Sequence, residues 1–360
     1  MHLHAPLDVA PFSRSAMSPP TLNHSSDLQT PSRAQSPSVD LASIRTLVRD
    51  LLPASRSLQQ LERFPARLHT IYFLHLRDGS RLVLKCPPSP RTRVLRCEQF
   101  SLANESHALE IFTSMTSCPF AVPQILRYEG GSTVIGTPYL LRSHVGGTPL
   151  RDLTSRLTST DRDTINRSLG HFLRFQSSLT GPSFGPLVTV NSGRGARSWR
   201  EAFMLLVESV LRDAEDMLIA LPYDTIRSGI QAKIGALDHV ATPRLVALDA
   251  GRPENVIIDP RAKEIAGLVG WGATIWGDPL LAAVFWFNDV DNVRGAFWRG
   301  LGRPNGVGQG AGEAERLQIY AVFRAAYAVV SQYYRPGQES LQELEGRRSL
   351  TRALSELQGA

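Results

Sequence analysis

Hydrophobic and polar positions divide the chain into three stretches of different character. Residues 1–39 show little apolar periodicity and carry eight Ser and six Pro. Such a segment cannot offset its ordering entropy by burial, so it is expected to be a disordered leader. Order is expected from Asp40, a capping residue. It precedes a helix whose apolar positions Leu41, Ile44, Leu47, Val48 and Leu51 follow the 3.6-residue period and which Pro53 ends. Residues 70–85, TIYFLHLRDGSRLVLK, read as two strands around the turn pair Asp78-Gly79. SLANESHALEIFTSM (101–115) places Leu102, Leu109 and Phe112 near one helical face, with Glu105 early in the run. VPQILRYEGG and TPYLLRSHVGGTPL read as two further strands.

From Leu150 the period turns helical, over 161–179, 198–221 and 226–240, and more helix follows to the end. Two short strand-like runs, LVALDAGRPENVIID and IAGLVGW, interrupt the helices. The pattern predicts an α+β chain: a small mixed sheet with one helix over 40–150, joined to a mainly helical lobe over 151–360.

Composition narrows the function classes. Hydrophobic residues at 42% and charged residues at 20% match an ordinary globular balance, so a sizeable core can form. The net charge of +6 comes with no dense basic stripe interleaved with aromatics, which argues against nucleic acid as a partner but not against phosphate-bearing ligands. Cys86, Cys97 and Cys118 lack metal-ligand spacing and fit reduced thiols in a cytoplasmic protein. No apolar run reaches the roughly 18 residues needed to span a bilayer, and the first residues lack the pattern of a secretory signal.

Candidate chemistry begins with Lys85, at the end of the strand SRLVLK. A Lys there can point into a cleft and hold phosphates as a point charge. Glu105, 20 residues on, or Glu110 as second choice, can orient it. Phosphoryl transfer also needs an acidic group for the attacking hydroxyl and oxygen ligands for Mg²⁺. In LVALDAGRPENVIID the candidates are Asp249 and Asn255.

On these residues the chain resembles the aminoglycoside phosphotransferase and choline kinase superfamily, in a divergent branch common among fungal metabolite genes. The resemblance spans roughly residues 60 to 290 and implies a two-lobed protein-kinase-like fold. It further implies ATP and Mg²⁺ as cofactors, a small-molecule metabolite as partner, Lys85 and Glu105 as the N-lobe ion pair, and 137–150 as the hinge. Pro253-Glu254-Asn255 fits the end of the family's His-Gly-Asp-x-x-x-x-Asn motif, and Trp276-Gly277-Asp278-Pro279 fits its Gly-Asp-Pro element.

The departures carry more weight. Five residues before Asn255 stands Ala250, so Asp249 serves as catalytic base only if the loop has gained a residue. The metal-binding Asp of the second motif is Gly270, and no glycine occurs between Leu51 and Gly79. One transition-state electrostatic contact is worth about 3–4 kcal/mol, roughly 10²–10³ in rate, so two losses leave little phosphotransfer. The expectation is a kinase-like protein of specialised metabolism with a degraded site, acting as a binding pseudokinase or a repurposed tailoring enzyme. An active kinase of a hydroxylated metabolite with Asp249 as base is the second reading, and a partner-protein scaffold the third. Asp278 is expected chiefly as a helix cap with Pro279 behind it.

Overall fold

Helix α1 (Leu41–Leu51) lies against strands β1 (Leu58–Phe64), β2 (Thr70–Leu76) and β3 (Arg81–Cys86). Helix α2 (Ser101–Thr113), β4 (Ile125–Glu129) and β5 (Tyr139–Ser143) complete the first lobe. The computed structural model describes residues 39–66, 68–115, 118, 120–131, 134–287, 295–303, 310–335 and 340–359. Almost all of the leader expected over residues 1–39 therefore lies outside the described residues. The sheet runs β1-β2-β3-β5-β4. Where a mixed sheet was expected, every pairing in it is antiparallel, because tight returns join β1 to β2 and β2 to β3, and β5 runs against both β3 and β4.

Alternation along the strands fixes what each face carries. Leu82 and Leu84 of β3, with Tyr139 and Leu141 of β5, pack with Ile44, Leu47 and Val48 of α1. Lys85 and Arg142 occupy the opposite phase, with Leu140, and so face α2. Leu102, Leu109 and Phe112 of α2 are buried in a core continuous with the helical lobe. Glu105 lies three residues after Leu102 and four before Leu109, inside that apolar stripe.

The second lobe contains β6 (Thr148–Pro149), α3 (Leu150–Leu153), α4 (Ser159–Gln176), β7 (Gly185–Pro186), α5 (Leu187–Asn191), α6 (Trp199–Asp216) and α7 (Tyr223–Ala232). It continues through β8 (Arg244–Ala247), β9 (Val256–Ile258), β10 (Ile265–Leu268), β11 (Thr274–Gly277) and α8 (Pro279–Trp286), and ends with α9 (Ala296–Leu301), α10 (Glu313–Tyr333) and α11 (Ser340–Gln358). Two three-stranded sheets, β10-β9-β6 and β7-β11-β8, frame the loop between β8 and β9. An aromatic cluster supports it: Trp271 lies 4.7 Å from Phe112 and 5.7 Å from Phe172, which stacks on Trp286. No helix of the described residues is long and apolar enough to cross a membrane.

Strand β1 escapes the sequence pattern because five of its seven residues are exposed. Strand β11 has no counterpart in the sequence reading, whereas α8 begins at Pro279 behind the Asp278 cap, as expected. Asp40 takes the N-cap position of α1, yet its carboxylate makes no capping hydrogen bond.

Candidate active site

Lys85 Nζ donates to Glu105 Oε2 in a direct ion pair between β3 and α2. Glu105 is fully buried, and Lys85 is 8% exposed. Burial alone would push the Glu105 carboxyl up, but the charges of Lys85 and Arg142 hold it below its ordinary value. Arg142 was absent from the sequence candidates. Its Nε lies 3.4 Å from Glu105 Oε1, and its Nη1 donates to the Ser143 carbonyl at 3.3 Å. A basic residue on the inner face of the otherwise apolar YLLRS was the signal in the sequence.

The connection from β1 to β2, where a phosphate-covering loop would lie, contains Pro65 and Ala66 rather than glycine. At its end His69 meets Ser101 at the start of α2, Nε2 to Oγ 2.9 Å. The segment before α2 crosses to the helical lobe. The Arg96 amide donates to Asp213 Oδ2 at 2.9 Å, the Arg96 guanidinium pairs with Asp213 and Asp216, and Arg335 pairs with Glu98.

Strand β8 delivers the chain to residues 248–255. Gly251 rests on the Trp286 indole so closely that a Cβ there would stand 2.1 Å from the ring, and Trp286 Nε1 donates to the Ala247 carbonyl at 3.1 Å. Ala250 is completely buried. The Asp249 side chain is 29% exposed at the cleft floor, and Arg252 Nη1 lies 3.4 Å from its Oδ1. Arg252 Nε also pairs with Glu254 at 3.0 Å. Asn255 Nδ2 donates to the Asp249 carbonyl at 2.8 Å and so closes the loop on itself. The structure therefore brings Asp249 and Asn255 together, with a guanidinium between Asp249 and Glu254.

Gly270 adopts a left-handed backbone, φ 84° and ψ 44°. A Cβ at that position would stand 2.3 Å from Asn255 Nδ2 and 2.6 Å from its Cγ. The Asn255 amide thus fills the space next to the missing carboxylate. Nδ2 is held by the loop, and Oδ1 is the atom of Asn255 able to meet a metal. Among the described residues no group of three or more His, Cys, Asp or Glu could hold one. Mg²⁺ at phosphate sites is held by one or two carboxylates together with ligand phosphates and water, and at the second motif Gly270 offers no side chain for that role. The buried cations Lys85 and Arg142 do fit an anionic group.

Asp278 caps α8, accepting from the Leu280 amide at 3.0 Å. It also accepts from Arg316 Nε at 2.8 Å and from the Tyr320 hydroxyl at 2.8 Å, so its place is in the lobe's interior scaffold.

Burial pushes the Asp249 carboxyl above its ordinary pKa, against the opposing charge of Arg252. A carboxyl with a raised folded-state pKa holds its proton more tightly folded than unfolded. Stability then falls as pH rises from the ordinary carboxylate range through the raised value. Asp249→Asn removes that titration and is expected to be at least as stable as wild type at neutral pH. Its stability should also change less from acid to neutral pH in urea denaturation. A loss above about 1 kcal/mol would instead give the Asp249–Arg252 pair a stabilising role beyond that of a surface ion pair.

No curated protein matches the sequence. Among solved structures, the fold is similar to a protein described as a fructosamine-3-kinase from Thermobifida fusca, with TM-score 0.59 and 17% identity over 89% of this chain and 100% of that one. It is also similar to wild-type aminoglycoside 2'-phosphotransferase-IIIa in complex with GDP, with TM-score 0.58 and 16% identity over 88% and 98%. A third is described as an aminoglycoside phosphotransferase from Ralstonia eutropha, with TM-score 0.58 and 13% identity over 89% and 97%. At these identities the neighbours establish a kinase-like fold. The family model of the phosphotransferase enzyme family matches residues 60–315, from β1 into α10 and across every cleft residue described above, and so the chain belongs to that family.

Proposed function

We propose that this protein is a kinase-fold member of small-molecule, specialised metabolism whose cleft binds a small metabolite without Mg²⁺-dependent phosphotransfer. It would act as a pseudokinase or a repurposed tailoring enzyme. The observation that carries this reading is Gly270, with the Asn255 amide packed where a side chain would begin. A carboxylate at that point would join the metal to the nucleotide, and without it charge on the phosphates goes unneutralised. Ala250, buried five residues before Asn255, and Arg252 beside Asp249 support it further.

In this reading Lys85, oriented by Glu105, is the cleft's cation for a ligand anion. Asn255 holds the loop, and Asp249 is held by Arg252 rather than left free as a base. The GDP bound to one structural neighbour makes a nucleotide the first ligand to test. Thermal-shift and calorimetric titration of the full chain with ATP, in EDTA and in Mg²⁺, is expected to show affinities that differ by less than about threefold, under roughly 0.7 kcal/mol. Tight binding that requires Mg²⁺, with phosphate transferred to a small alcohol, would overturn this reading and make Asp249 the working base.

A further inference from the structure

The buried charges at the back of the cleft do not balance. Lys85 and Arg142, 8% and 7% exposed, share a single carboxylate, Glu105. That leaves an excess of one positive charge in a region almost closed to water. Hydrogen bonding is incomplete as well. Glu105 Oε1 and Arg142 Nε are buried without a hydrogen-bond partner, their 3.4 Å approach being an ion-pair contact only. A buried cation lacking full compensation is costly, and an arginine does not relieve the cost by losing its proton. Replacing Arg142 with an apolar residue would leave a simple one-to-one pair.

Alanine and glycine stand at 250 and 270, where the family pattern has carboxylates, and a second guanidinium, Arg252, lies between Asp249 and Glu254. A guanidinium offers a planar fork of donors that matches a phosphate, and it needs no metal to do so.

We propose that this cleft takes a phosphate-bearing small molecule without a divalent cation, with Lys85 and Arg142 as its direct cationic contacts. This rests on the metal-free reading above and adds the ligand's chemistry to it. Arg142 meets the ligand's negative charge from β5, and Lys85 meets it from β3. The occupied site then has the anion that Glu105 alone does not supply.

The test is calorimetry and thermal shift on the full chain with pyrophosphate, ADP and adenosine, each in EDTA and in Mg²⁺. Pyrophosphate and ADP should bind in EDTA, with no gain from Mg²⁺, and adenosine should not. Arg142→Met should weaken ADP about 10- to 100-fold, the span of one or two charge-assisted hydrogen bonds. Its unliganded melting temperature should be no lower than that of wild type, a result that a purely structural arginine would not give. If Arg142→Met fails to fold, Arg142→Lys keeps the charge and loses the fork, and a weakening of about tenfold is expected. Unchanged ADP affinity in whichever of these variants folds overturns the proposal. So does adenosine binding as well as ADP, or no phosphate probe binding in EDTA, and these results leave the metal-free reading standing. Binding that requires Mg²⁺ overturns both.

Discussion

Glu105→Gln is expected to destabilise the protein by about 3–5 kcal/mol, the usual result of removing one partner from a buried ion pair. The substitution keeps the volume and removes only the charge, so packing of α2 against Phe112 and Leu109 should survive. What remains is Lys85 and Arg142, both more than nine-tenths buried, with no carboxylate between them. An arginine keeps its charge in such a site, so a large share of the penalty should settle on Arg142. Adding Arg142→Met to Glu105→Gln should therefore recover part of the loss, with a coupling of about 0.5–3 kcal/mol in the double-mutant cycle. Urea denaturation of the four proteins measures it. If Glu105→Gln stays within about 1 kcal/mol of wild type, the carboxylate is not what compensates the two cations.

The parts of the fold legible in the sequence are those whose pattern is local. Helix α1 shows its period in Ile44, Leu47 and Val48, the β2–β3 hairpin shows its Asp78-Gly79 turn, and α2 shows its apolar stripe. Strand β1 pairs through backbone along an exposed edge, so its side chains carry little alternation to read. The all-antiparallel order, with β5 placed between β3 and β4, is set by long-range pairing that no short window contains.

The site divides in a similar way. Lys85 and Glu105 were legible as a strand-end lysine and an early carboxylate on the next helix, with Glu110 open as the alternative until the resemblance favoured Glu105, and the structure pairs Lys85 with Glu105. The approach of Arg252 to Asp249 depends on the turn through residues 250–254, and the packing of Asn255 on Gly270 depends on two chain segments meeting. Neither is visible in residue spacing. Arg142 was passed over because strand reading weighs the apolar residues and treats one basic side chain as exposed, whereas alternation places it opposite Val83, inward, beside Glu105.

Gly270→Asp is the substitution that would return a carboxylate to the second motif, and it is expected to fail on its own. Its backbone angle, φ 84°, lies in the left-handed region, which Asp tolerates better than most residues but less readily than glycine. The larger obstacle is Asn255. With Nδ2 2.3 Å from the new Cβ, its amide must swing away and give up the 2.8 Å bond to the Asp249 carbonyl. That bond closes the loop, so the new carboxylate would arrive as the neighbouring oxygen ligand is displaced. Strain and overpacking together predict a stability loss of about 1–3 kcal/mol. Calorimetry with ATP in EDTA and in Mg²⁺ should still give affinities within about threefold of each other, under roughly 0.7 kcal/mol. A gain of tenfold or more on adding Mg²⁺ would show that Asn255 yields easily and that a single side chain separates this cleft from metal binding. The expected order is the reverse: the Asn255 amide occupies the room that a side chain at 270 needs, and restoring one ligand does not create a metal site.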